Sequence, residues 1–301
     1  MNLRRATQPS DRVVGLLIGP TAVGKSDLAI RICEARGWEL ISLDSRQVYR
    51  GLAIGTAQPS GSDLARVPHH LVACLDPRET CSAARYREMC AVILDDLQAR
   101  DARALVVGGT GLYWRALTEG LHRLPTASAS LRAQHATILE EEGVEGLRRR
   151  LEALDPHAAA RLGARDRQRL GRALEIVELT GRSLAANLDA PPLPPLVSQV
   201  AEVVLTRPRP ELHARIQTRC DQMLASGLID ELRGVLASGC PTDAPGLRTV
   251  RVSATCPLRP RRALVGQMPG GVRARDATLR QAPGDVVPTP APPRHGASRG
   301  L

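Results

Sequence analysis

Eight consecutive residues, Gly19-Pro20-Thr21-Ala22-Val23-Gly24-Lys25-Ser26, constrain this chain more than any other stretch. They follow the apolar run Val13–Ile18 and open a segment read as helix, with Leu28, Ile30 and Ile32. Strand, glycine-bounded turn and helix start are the context in which such a loop binds phosphate. The glycines let backbone N–H groups close around phosphate oxygens, and the helix end adds about half a positive charge. Lys25 then reaches a terminal phosphate, and the Ser26 hydroxyl suits Mg²⁺. Lys25 is also the sole lysine of the chain; every other basic side chain is Arg.

A strand that ends in a phosphate loop predicts an α/β fold, a P-loop NTPase-like parallel sheet flanked by helices. Trp38–Leu43, Ala104–Val107 and Val200–Leu205 read as further strands. Ser82–Gln98 reads as a helix with a stripe of Tyr86, Met89, Cys90, Ile93 and Leu97, and Glu211–Ala237 as one long amphipathic helix carrying Arg215 and Arg219. From about Pro125 the alternation stops. Helices are expected over Glu140–Leu154, Ala158–Arg161 and Asp166–Thr180, the last closed by Gly181. The reading is a core of 1–124 and 196–250, interrupted by an inserted all-helical domain at 125–195. The proline-rich run Ala190–Leu196 is its outgoing linker, and 251–301 forms an Arg/Pro-rich disordered tail.

Ligands of open parallel sheets sit outside the carboxyl ends of the strands. Asp44, at such an end, suits a Mg²⁺ ligand or a proton acceptor, with a solvated turn-starting Asp as the plain alternative. Gly108-Gly109-Thr110 marks another strand end, either a site of close ligand approach or an ordinary strand-to-helix turn. His69 and His70 point apart with no third ligand nearby, which favours a structural role over a metal. Arg169 and Arg172 share one helix face, solvated or turned to an anion, and Arg215 and Arg219 lie one turn apart.

Net charge bears on the partner. The formal +10 points to an anion, nucleic acid above all, but residues 251–301 hold nine Arg against Asp276 and Asp285. Seven scattered cysteines without a C-x-x-C pair read as reduced thiols. Arg4, Arg5 and Arg12 precede an apolar run too short for a signal peptide, and no stretch approaches the roughly 20 residues of a bilayer span. A cytoplasmic monomer without membrane contact is expected.

Taken together, these blocks resemble the tRNA dimethylallyltransferase (tRNA isopentenyltransferase) family. The resemblance rests on Gly19–Ser26, Asp44-Ser45-Arg46-Gln47-Val48-Tyr49, Pro68–Leu71, Gly108–Tyr113, Gln168–Glu175, Thr180-Gly181 and the Arg215…Arg219…Met223…Gly227-Leu228 pattern, and covers about residues 13–250. It implies that the loop cradles dimethylallyl diphosphate with Mg²⁺ at Ser26, and that the prenyl group passes to the exocyclic amine of the adenine beside the anticodon. By the family pattern Asp44 accepts the proton, Thr21 sits near the bridging oxygen, and Arg219, with Arg215, meets the diphosphate. Contacts to the tRNA anticodon stem-loop map onto Asp44, Ser45, Arg46, Gln47, Thr110, Arg132, Gln168, Arg169, Leu170, Gly171 and Arg172. The competing readings are a P-loop small-molecule kinase and a catalytically impaired tRNA-binding remnant.

The pattern breaks after Val250, where the family continues with a Gly-Tyr pair. Arg251–Leu301 lacks Ile, Glu, Lys, Phe, Tyr and Trp. Loss of the reading frame near Val250 accounts for this, and a one-base shift of the gene should restore Gly-Tyr; a native disordered RNA-binding tail is the rival account.

Overall fold

The computed structural model describes residues 13–163, 165–197 and 199–249. The core opens with β1 (Val13–Ile18), α1 (Lys25–Arg36), β2 (Glu39–Leu43), α2 (Ala53–Thr56), α3 (Gly61–Arg66) and β3 (His69–His70). It continues through α4 (Ala83–Ala99), β4 (Ala104–Gly108) and α5 (Gly111–Thr118). Five helices follow: α6 (Ala129–Glu141), α7 (Gly143–Leu154), α8 (Pro156–Arg161), α9 (Arg167–Thr180) and α10 (Leu184–Leu188). The chain then returns to the sheet with β5 (Gln199–Val204) and ends its described part in α11 (Arg209–Ala225), α12 (Leu228–Ala237) and α13 (Pro245–Thr249).

Alternation within each apolar run sets the architecture. Val14 and Leu16 of β1, Ile41 and Leu43 of β2, and Ala104 and Val106 of β4 enter one core with α4 and α5. Leu17, Leu40, Leu105 and Val107 enter the other, against Ala29, Ile30 and Cys33 of α1. A sheet covered on both faces suits parallel strands, and the order is β3-β2-β4-β1-β5 with every pairing parallel. Among the described residues no helix is long and apolar enough to cross a membrane.

The helical block holds a core of its own, built from Leu147, Leu151, Leu170, Ala173, Leu174 and Val177. Its incoming and outgoing linkers meet at an antiparallel bridge between Leu121 and Leu193. Buried Asp155 fastens two helices at once: Oδ1 accepts from Ala158 N (3.0 Å) at the start of α8, and Oδ2 from Leu184 N (2.7 Å) at the start of α10. Asp155→Ala removes the α8 cap and the bond to α10, so a loss of about 2–4 kcal/mol is expected, read as a lower urea midpoint at unchanged slope.

The structure corrects two helix expectations. The Glu140–Leu154 segment is split, α6 ending at Glu141 and α7 starting at Gly143, and Glu211–Ala237 is two helices that break at Ser226-Gly227. Gly143 (φ 68°) and Gly227 (φ 94°) adopt left-handed backbone, which an apolar stripe read by spacing does not reveal. Helix α11 buries none of its residues fully, whereas Leu228 at the start of α12 is buried. The tail reading falls on 251–301, outside the described residues.

Candidate active site

Parallel strands bring their carboxyl ends to one edge, and here the register aligns them. Ile18 pairs with Gly108 and Val204, and Gly108 with Leu43, so Gly19, Asp44, Gly109 and Leu205 form one lip. With neighbouring strands about 4.8 Å apart, the lip from β2 to β5 spans roughly 15 Å. Side chains do not fit between the strands here. A Cβ on Gly108 would lie 2.1 Å from the Leu43 carbonyl oxygen, and one on Gly19 2.5 Å from that of Leu205.

The phosphate loop crosses this lip. Gly24 caps α1 without a side-chain acceptor, so no cap claims the first N–H groups of α1, which stay open to an anion. Lys25 Nζ donates to Gly19 O and Pro20 O, both at 2.9 Å, which leaves one ammonium proton for a ligand. Burial lowers the lysine's hold on its proton; the Asp44 carboxylate raises it, and the Arg219 guanidinium lowers it again. Thr21 and Ser26 are exposed, Thr21 in the turn and Ser26 in the first turn of α1.

Asp44 is bracketed on both sides by the β4–α5 turn. Gly109 N and Thr110 N donate to Leu43 O at 3.3 and 3.2 Å, and Ser45 N donates to Thr110 Oγ1 at 3.1 Å. Arg46 N donates to Asp44 Oδ1 (2.8 Å), an Asx turn that holds the carboxylate at that oxygen. Below this loop the Tyr86 and Tyr113 rings stack at 4.2 Å, and Tyr86 Oη donates to Ser42 O (2.9 Å). Gln47 is turned inward: its Oε1 accepts from Ser42 Oγ (2.9 Å) and its Nε2 donates to Ala57 O (2.7 Å).

Helix α11 supplies the third charge. Burial weakens Arg219's hold on its proton, Asp44 strengthens it, and Arg46 opposes. Lys25 and Arg219 thus both feel the Asp44 charge, although the three come from α1, the end of β2 and α11. One turn earlier, Arg215 Nε donates to Ala22 O (2.7 Å) and ties α11 to the loop. On the other flank a cleft of about 350 Å³ lies between α1 and the β5–α11 corner, with Val23, Gly24, Leu28, Arg31, Arg207 and Arg215 in its wall. Sequence reasoning did not single out Arg31 or Arg207, since an isolated Arg without a motif carries no signal.

The remaining residues assigned to tRNA lie on the helical block. Gln168 and Arg169 are exposed at the start of α9, and Arg169 Nε is 3.3 Å from Asp166 Oδ2. Leu170 is 0 % exposed, so its side chain packs the helical core and offers RNA no surface. Gly171 is half-buried. Arg172 binds Glu175 (2.9 Å) and Pro125 O (2.8 Å), and Arg132 approaches the same Glu175 at 3.9 Å. Arg172 thus fastens α9 to the incoming linker, while Arg132 of α6 approaches the same Glu175 within the block. His69 Nδ1 meets Val67 O at 2.7 Å, and His70 Nε2 meets Glu39 Oε2 at 2.6 Å.

Comparison with known proteins agrees with this geometry. Residues 47–259 match the family model described as IPP transferase, and residues 12–73 match that for isopentenyl transferase. The chain is 45% identical over 235 residues to tRNA dimethylallyltransferase 1 of Citrifermentans bemidjiense, covering 78% of this chain and 76% of that one. The crystal structure of the tRNA isopentenylpyrophosphate transferase of Bacillus halodurans superposes with TM-score 0.52 at 33% identity, over 78% of this chain and 73% of that one. A eukaryotic dimethylallyltransferase, solved in snapshots of its action on tRNA, gives TM-score 0.61 at 26% identity, over 77% of this chain and 58% of that one. The kinase alternative is not favoured by any of these relatives. With a phosphate loop facing a carboxylate across one lip and likeness running through most of the chain, this protein belongs to the tRNA dimethylallyltransferase family of prenyltransferases.

Proposed function

We propose that this chain transfers a dimethylallyl group from dimethylallyl diphosphate to the exocyclic amine of the adenine adjacent to the anticodon of tRNA. What supports this reading is the strand register that puts the phosphate loop and Asp44 on one lip of the sheet, with Arg215 of α11 bonded to that loop. The diphosphate rests on the open N–H groups of α1 and on Lys25, with Arg219 and Arg215 against its outer oxygens and Thr21 near the bridging oxygen. As the allylic C–O bond breaks, these groups hold the negative charge that gathers on the leaving pyrophosphate. The adenine amine forms the new C–N bond. Its surplus proton goes to Asp44, whose Oδ1 is engaged by Arg46 N in the Asx turn, leaving Oδ2 to accept it.

A magnesium ion fits the oxygen donor at the start of α1, the Ser26 hydroxyl, which is exposed. Among the described residues no group of three or more His, Cys, Asp or Glu makes an all-protein metal site. Mg²⁺ commonly binds through one or two protein oxygens plus phosphates, so Ser26 would share it with the diphosphate. When bound, the ion neutralises charge on the leaving group.

The target base must leave its stack to enter the cleft, at about a few kcal/mol. Arg169, 77% exposed at the start of α9, is the side chain assigned to meet RNA phosphate. Arg169→Ala is expected to weaken tRNA binding across sequences and to reduce the salt slope by about one. Binding titrations at several salt concentrations check this, and an unchanged slope returns Arg169 to an ordinary solvated face. The activity itself is tested by incubating the protein with labelled dimethylallyl diphosphate, Mg²⁺ and unmodified tRNA, then digesting to nucleosides. Label in prenylated adenosine supports the proposal; folded protein that incorporates none overturns it.

A further inference from the structure

We infer that Glu231 is a positioning residue that sets Arg219 on the donor side against Asp44 on the acceptor side. The inference rests on the prenyl-transfer reading above. It starts from α11, which carries Arg219 and Arg215 and buries none of its residues fully, so beyond the Arg215–Ala22 bond its place depends on the elements beside it. The helix is anchored through its neighbour. At Gly227 the backbone turns into the left-handed region, and α12 runs on with Leu228 buried and Glu231 one turn in.

The Glu231 carboxylate then grips the segment that follows the Asp44 loop. Its Oε2 accepts from Ile54 N (2.7 Å) and its Oε1 from Gly55 N (2.8 Å), two consecutive donors in the first turn of α2. These N–H groups have no partner inside so short a helix, and α2 has no side-chain cap of its own. Two charge-assisted bonds from a distant helix therefore replace the cap. The path onward to Asp44 is continuous. Thr56 Oγ1 donates to Leu52 O (2.6 Å), Ala57 O accepts from Gln47 Nε2 (2.7 Å), and Gln47 Oε1 accepts from Ser42 Oγ (2.9 Å), next to the end of β2. Gln58 Nε2 binds Gln47 O and Tyr49 O at 2.9 and 2.7 Å and closes the same loop. The polar frame that ends at Glu231 thus begins beside Asp44, while α12 continues the chain from Arg219.

The test uses Glu231→Ala and the near-isosteric Glu231→Gln in the full chain. A displacement of about 1 Å between reacting groups lowers turnover by up to roughly 100-fold, so kcat should fall by about 10–100-fold in Glu231→Ala and by less in Glu231→Gln. KM for tRNA should stay within about threefold, because that binding surface is not removed. In an Asp44→Ala background the Glu231→Ala effect on kcat should largely vanish, as for two changes in one unit. Hydrogen exchange at the Ile54 and Gly55 amides should rise in both variants, a readout that needs no turnover. Unchanged kcat, or effects of Glu231→Ala and Asp44→Ala that simply multiply, would overturn the inference, as would unchanged exchange at those two amides. A wild-type protein without transfer activity would instead remove the prenyl-transfer reading, and the exchange measurement would still decide whether Glu231 holds α2.

Discussion

Asp44→Ala is expected to lower turnover by around 10²–10⁴ while leaving diphosphate affinity nearly unchanged, as for loss of a general base. The aromatic amine of adenine is a weak nucleophile, and it gains most from a carboxylate that accepts its proton as the C–N bond forms. The structure makes the prediction specific. Arg46 N occupies Oδ1, and the Ser45–Thr110 and Leu43–Gly109 bonds hold the loop at 3.1–3.3 Å, so the remaining oxygen has a fixed direction. Asp44→Asn keeps those loop contacts and removes the base. It should therefore be nearly as slow as Asp44→Ala, with a thermal midpoint close to wild type. Single-turnover rates with enzyme in excess separate this step from product release, and equal rates in the variants would remove Asp44 from the chemistry.

Lys25→Met should affect both binding and chemistry, with weaker retention of dimethylallyl diphosphate and a fall in kcat of roughly 10²–10³, as when one preorganised donor to a developing anion is lost. Partial burial strengthens this expectation, because a charge with less water around it interacts more strongly with a polyanion. Lys25→Arg is the more searching variant. The ammonium sits between two carbonyl oxygens at 2.9 Å each, and a planar guanidinium does not reproduce that convergent geometry. Every other basic side chain of the chain is Arg, so charge is abundant and shape is what Lys25 contributes. Little rescue is expected from Lys25→Arg, measured as donor affinity by titration and as kcat. Full rescue would mean that charge alone suffices. The two sites also differ in signature: Asp44 variants lose chemistry with binding kept, and Lys25 variants lose both.

Much of this site was legible before any coordinates. The loop from Gly19 to Ser26, the acidic strand end at Asp44 and the Gly108–Thr110 turn are consecutive residues whose spacing carries their meaning, and each lies at the expected strand end. The Gly181 cap closing α9 was legible for the same reason. Residues whose role depends on a distant partner were not. Gln47 belongs to a recognisable block, yet both ends of its amide are taken by Ser42 and Ala57. Arg172 shares a helix face with Arg169, yet it binds Glu175 and a linker carbonyl while Arg169 stands in solvent. Glu231 carries no motif, and its partners Ile54 and Gly55 lie far back in the chain.

By itself the sequence determined the loop, four of the five strands, the parallel sheet and the side of the sheet at which the candidate site lies. These follow from alternation, glycine placement and helix starts, which act between residues within a few positions of one another. Tertiary structure alone decided which polar side chains reach the cleft and which are used up inside the protein. It also decided that the long helix breaks at Gly227 and that Arg219 comes within reach of the Asp44 charge. Hydrogen-bond partners and charges are chosen through space, where packing sets the distance, and no local pattern encodes a contact that bridges the whole length of the fold.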